Sequence, residues 1–107
     1  MGAALGKEAL AEIRRETRDE VQYRTHALGS GAKRHTIVIG NISPHGLMGR
    51  CKSACEVGER LEVELPVVGT IAAEVRWAVG GQIGAQFDAP IGLAHYYALV
   101  ATLLRPE

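Results

Sequence analysis

The stretch Thr36–Met48, T-I-V-I-G-N-I-S-P-H-G-L-M, runs β-branched residues into a polar cluster, Asn41-Ile42-Ser43-Pro44-His45-Gly46. An apolar run resumes at Leu47. It reads as a strand, a tight connection and a second strand. Pro44 lacks an amide donor and has a fixed φ, so it pins the turn. Gly46 is free to take the positive φ closed to most residues. On an extended backbone Asn41 and Ser43 share one face, with Ile42 on the other. Taken alone the cluster is first a backbone device, because Asn and Ser beside Pro and Gly commonly satisfy turn amides.

Outward from this hairpin the chain continues as strands. Val21–Leu28 alternates, with Val21, Tyr23, Thr25 and Ala27 on one face, and Gly29-Ser30-Gly31 breaks it. Arg34–Ile42 carries apolar residues on both faces, as a covered strand does. Leu47–Cys51, Arg60–Leu65, Thr70–Val79 and Gln82–Phe87 complete six candidate strands. In Thr70–Val79 the alternation assigns Ile71, Ala73, Val75 and Trp77 to one face, which predicts core packing for Trp77. Gly80-Gly81 marks a hairpin turn. Asp88-Ala89-Pro90 reads as a helix start with a capping acid, and Leu93, Tyr96, Tyr97, Val100, Leu103 and Leu104 make residues 91–104 amphipathic. Residues 3–16 read as a short N-terminal helix with a thin apolar stripe.

Small all-β chains avoid open edges by curling into a barrel. The expected fold is therefore an all-β, six-stranded antiparallel barrel. One domain spans residues 1–107: an N-terminal helix or arm over 1–18, the barrel over 19–89, and a C-terminal helix over 90–104. That helix needs a partner for its apolar surface, either the open barrel end or a second copy.

Composition limits the function. With 12 basic and 12 acidic residues the formal charge is zero, which removes any global drive towards nucleic-acid polymers or acidic membranes. No apolar run of about 20 residues spans a membrane. The N-terminus lacks a secretory pattern, and Gly6 stands where a myristoylation motif wants Ser or Thr. A cytoplasmic location is expected. Cys51 and Cys55, four apart without a second pair, are a weak metal signal, and no metal is expected. His26 and His35 can face each other across the first hairpin. No nucleophile–base–acid set, phosphate loop or dinucleotide fingerprint occurs, so a binding module is expected and not an enzyme.

The dense charged segment before the first strand changes the reading of the turn. Arg14, Arg15 and Arg18 are interleaved with Glu16, Thr17, Asp19 and Glu20. A planar guanidinium can fork onto phosphate and stack on a flat base. Arg14-x-x-x-Arg18, then Asn41-x-Ser43-x-x-Gly46, then Val75-x-Trp77 and Gly84-x-x-Phe87 ahead of a terminal helix, resembles the PilZ domain family as a single-domain member.

The resemblance covers residues 14 to about 90. It implies a barrel that binds cyclic dimeric GMP (cyclic di-GMP), a bacterial second messenger, with no other cofactor. Arg14 and Arg18 are then the residues that grip phosphate and guanine, and Arg15 adds a third contact. Asn41 reaches a guanine edge, Ser43 stands near base and phosphate, and Gly46 permits the loop. Trp77 is a secondary contact on the barrel wall. Ligand orders the arginine segment and alters a surface for an unidentified protein effector, in a monomer or a homodimer. Glu16, Asp19 and Glu20 lower the local positive potential and can pair with Arg14 or Arg18. The alternative is a degenerate barrel of the same fold, an adaptor that binds protein and no nucleotide.

Overall fold

A computed structural model describes residues 18–105. It is a closed barrel of six antiparallel strands: β1 (Asp19–Leu28), β2 (Arg34–Ser43), β3 (Gly46–Cys51), β4 (Arg60–Leu65), β5 (Gly69–Val79) and β6 (Gln82–Phe87). Around the barrel the order is β1-β2-β3-β6-β5-β4, with β1 closing on β4. One helix, α1 (Leu93–Leu103), follows. No described helix is long and apolar enough to cross a membrane.

The alternating pattern dictates the interior. Ile37, Ile39, Leu61, Val63, Val75 and Ile83 point inwards and are buried. The β1–β4 seam pairs only Ala27 with Val63 and Leu28 with Glu62. Beyond it Thr25 donates its hydroxyl to the Glu64 carbonyl (2.5 Å), a side-chain bond that extends the short ladder. Of the three bulges that reset the phase elsewhere, one lies between Glu20 and Tyr23 of β1 and two concern the outer face. Between Ile39 and Asn41 of β2 the register with β3 shifts, so Ile39 and Ile42 are both fully buried although three apart. The other of these two lies between Val75 and Trp77 of β5.

Helix α1 covers the barrel end where β1 begins and β2 ends, burying Tyr96, Leu99 and Leu103. Full burial of a leucine such as Leu99 contributes about 1.5–3 kcal/mol. The helix starts later than the sequence predicts. Gly92 precedes its first turn, and Asp88 is not the cap. The Ile91 amide donates to the Pro44 carbonyl (2.8 Å) and the Asp88 amide to the Ala72 carbonyl (3.0 Å), which holds 88–91 against the barrel and out of the helix. The Asp88 carboxylate instead pairs with Arg60. His26 and His35 do not face each other. His26 pairs with Thr36 and His35 with Ala27, one residue out of step, so the two rings lie on opposite faces.

Candidate functional site

The β2–β3 turn is built as its residues dictate. Ser43 is buried, and its Oγ accepts the His45 amide (3.1 Å). The hydroxyl therefore does the turn work expected of serine beside proline. Gly46 is required for a different reason from the one its sequence context suggests. It does not take a positive φ. A Cβ there would stand 2.3 Å from the Ala85 carbonyl oxygen, so the constraint is the closeness of β6.

The bulges turn two side chains outwards. In β2, Gly40 and Asn41 both follow the buried Ile39 on the outer face. In β5, Arg76 and Trp77 do the same after the buried Val75. This corrects the assignment of Trp77 to the core face. A strict alternation rule fails there because a bulge inserts one residue. The half-buried indole lies over Gly84, whose added Cβ would meet Trp77 Nε1 at 2.1 Å.

The registers now connect. Asn41 pairs with Met48, Met48 with Gly84, and Gly84 with Trp77, so one cross-strand row spans β2, β3, β6 and β5. At the usual strand spacing of roughly 4.8 Å, the row is about 14 Å wide. Arg18 reaches it from the start of β1. Its Nη1 stands 3.4 Å from Asn41 Oδ1 and 2.6 Å from Met48 Sδ. Arg18, Ser43, Gly46 and Trp77 line one cleft of about 240 Å³. Asn41 lines the adjoining one, with Met48 as the wall shared by both.

Of the residues expected at the site, Arg18, Asn41, Ser43, Gly46 and Trp77 are thus neighbours. Arg14 and Arg15 lie outside the described residues. The sequence reading missed Met48 and Arg76. Met48 follows from pairing across the hairpin; alternation already puts Arg76 on the outer face, and only strand pairing brings it to the cleft. Arg76 Nη1 donates to Gln86 Oε1 (3.0 Å) on the cleft wall.

Asp19 is not turned towards Arg18. Its carboxylate accepts from Tyr96 of α1, whose hydroxyl also lies 3.0 Å from the Ile42 carbonyl. Burial, then the bond to Asp19, holds the Tyr96 hydroxyl well above the usual phenol range, so it remains a donor. The Phe87 amide donates to the His45 carbonyl (2.8 Å). The turn, Arg18 and the helix therefore meet at one barrel end. Neither a scan against protein-family models nor a search of curated proteins finds a match to this chain.

Proposed function

We propose that this barrel binds cyclic di-GMP on the Asn41–Met48–Gly84–Trp77 row, closed over by the Arg14–Arg18 segment, and acts as a receptor without catalysis. The observation that carries the reading is the meeting of Arg18 with that row. Arg18 and Arg76 supply cations, Asn41 an amide and Trp77 a flat aromatic surface, on two adjoining clefts that share Met48.

The chemistry fits a ligand with two phosphates and two purines. A thioether is a weak acceptor, so Arg18 gains when a phosphate oxygen replaces Met48 Sδ. The indole face of Trp77 suits a purine, and Asn41 offers donor and acceptor to a base edge. Asp19 follows Arg18 directly and holds Tyr96. Closure of the segment would therefore act on α1, whose exposed face is the surface offered to a protein effector.

Calorimetric titration of the full chain with cyclic di-GMP tests this. Saturable binding is expected, weakened roughly 10- to 100-fold by Arg18→Ala, as for loss of a charge-assisted hydrogen bond. Absence of binding by the wild-type chain, or equal affinity in Arg14→Ala and Arg18→Ala, defeats the reading.

One observation favours the adaptor reading. Leu93, Tyr97 and Leu104 lie on one helical face and are 60%, 64% and 56% exposed. A chain that binds no cyclic di-GMP, yet captures a protein partner that Tyr97→Asp releases, fits that reading instead.

A further inference from the structure

The far end of the β2–β3 hairpin, about 25 Å from the turn by strand rise, holds a second constellation that the cleft does not use. His35 opens β2 and is fully buried. Cys51 ends β3, where β2 pairing brings it opposite Ile37. The loop 52–59 then folds back, bringing Cys55 Sγ to 3.0 Å from Cys51 Sγ. Each sulfur stands 3.6 Å from His35 Nδ1. The three donor atoms lie within 4.8 Å of one another, the sole such His/Cys/Asp/Glu group among the described residues.

The imidazole is also aimed. Its Nε2 lies 3.0 Å from Glu59 Oε2. The Glu59 carboxylate is itself held by two backbone amides, of Ser30 (3.2 Å) and Glu56 (3.1 Å). A carboxylate only accepts, so Nε2 carries the proton and Nδ1 is the acceptor, taken by the Ser53 hydroxyl (2.6 Å) with both sulfurs beside it. This carboxylate–histidine arrangement orients metal-ligating histidines. A disulfide between Cys51 and Cys55 would use two of these groups and leave the aim of His35 unexplained.

We propose that His35 Nδ1, Cys51 Sγ and Cys55 Sγ form a three-ligand site for a borderline-soft divalent cation of the zinc class, which clasps loop 52–59 to β2. Bond lengths of ~2.3 Å to sulfur and ~2.0 Å to nitrogen set tetrahedral edges of ~3.6 Å between S and N and ~3.8 Å between the sulfurs. The two S–N edges match, and the S–S edge opens by turning Cys55, a half-buried residue on a mostly exposed loop. Ser53 Oγ, 2.6 Å from Nδ1, gives up that bond to the cation. The fourth position faces the cleft lined by Ser53, Ala54, Gly81 and Gln82, which is its entry path. On binding, each thiol releases its proton to solvent and both sulfurs ligate as thiolates. Two thiolates and one imidazole select zinc-like cations over magnesium or calcium.

Cobalt titration of the full, reduced, metal-stripped chain tests the site independently of the nucleotide cleft. Expected are sulfur-to-cobalt charge-transfer bands and intense tetrahedral d–d bands that saturate at one equivalent and are bleached by zinc. Cys55→Ser should weaken binding by at least ~100-fold, and Glu59→Gln by roughly 10- to 100-fold, as for loss of an outer-shell partner. Zinc should raise the melting temperature of the wild type and leave that of Cys55→Ser unchanged. Should Cys55→Ser fail to fold, zinc protection of both cysteines from alkylation in the wild type takes its place. A reduced wild type without thiolate–cobalt bands overturns the site. So does wild-type titration by Cys55→Ser, unprotected cysteines, or a chain that forms only a disulfide on mild oxidation.

Discussion

The two ends of the β2–β3 hairpin carry opposite kinds of chemistry. At the turn end Met48 divides two adjoining open clefts, one lined by Trp77 and the other by Asn41, and Arg18 rests on the weak acceptor Met48. At the other end His35 is fully buried, with both ring nitrogens engaged, by Ser53 and by Glu59. The first arrangement leaves polar groups to be completed by something from outside. In the second both ring nitrogens of His35 are satisfied from within, so loss of the ring falls on the fold. One hairpin thus separates an open groove from a buried stabilising cluster, and substitutions at the two ends should move different observables.

The largest effect on stability should come from His35→Ala. It opens a cavity and leaves the carboxylate of Glu59 without its ring partner, at a cost of about 3 kcal/mol read from urea midpoints with chelator present. A loss below about 1 kcal/mol would erase the contrast between the ends. Next comes Gly46→Ala, the turn-end residue held against backbone. Its Cβ meets the Ala85 carbonyl, which cannot swing aside, so roughly 2–3 kcal/mol should be lost. Gly84→Ala is the milder counterpart, at about 1 kcal/mol, because it displaces the Trp77 ring and not the backbone. Its signature is a shift in tryptophan fluorescence.

Tyr96→Phe removes the hydroxyl that joins α1 to Asp19 and the Ile42 carbonyl. About 1–1.5 kcal/mol should go, with faster amide exchange in Leu93–Leu103 than in β2. Uniform exchange would argue that helix and turn end are not linked. Arg18→Ala should have the smallest effect on stability, within about 0.5 kcal/mol, as surface substitutions usually do. A large destabilisation would show that Arg18 belongs to the fold as His35 does.

Much of the architecture was legible from residue order. Arg60–Leu65 and Gln82–Phe87 run between the ends that alternation and turn residues predict. Trp77 was misread because a bulge cannot be seen in a sequence that still alternates on paper. Asp88 was misread because its partner, Arg60, is 28 residues away. The segment Arg14-x-x-x-Arg18 and the turn motif stood out because their members are close in sequence. Cys51 and Cys55 stood out only as a weak pair, since His35 and Glu59 lie far from them along the chain and only strand pairing and a folded-back loop unite the four.

The sequence by itself determined the class of the fold, six strands and a C-terminal helix, because side-chain periodicity is a local property of the backbone; the helix it predicts over 3–16 lies outside the described residues. It also supplied arginines and an asparagine, residue types whose chemistry suits phosphates and base edges. The tertiary structure alone decided which of them meet. Register aligned Asn41, Met48, Gly84 and Trp77 into one row, bulges turned Trp77 outwards, and hairpin pairing set His35 beside two sulfurs. The reason is physical: strand pairing joins residues by hydrogen-bond register and not by distance along the chain, so a shift of one residue exchanges core for surface.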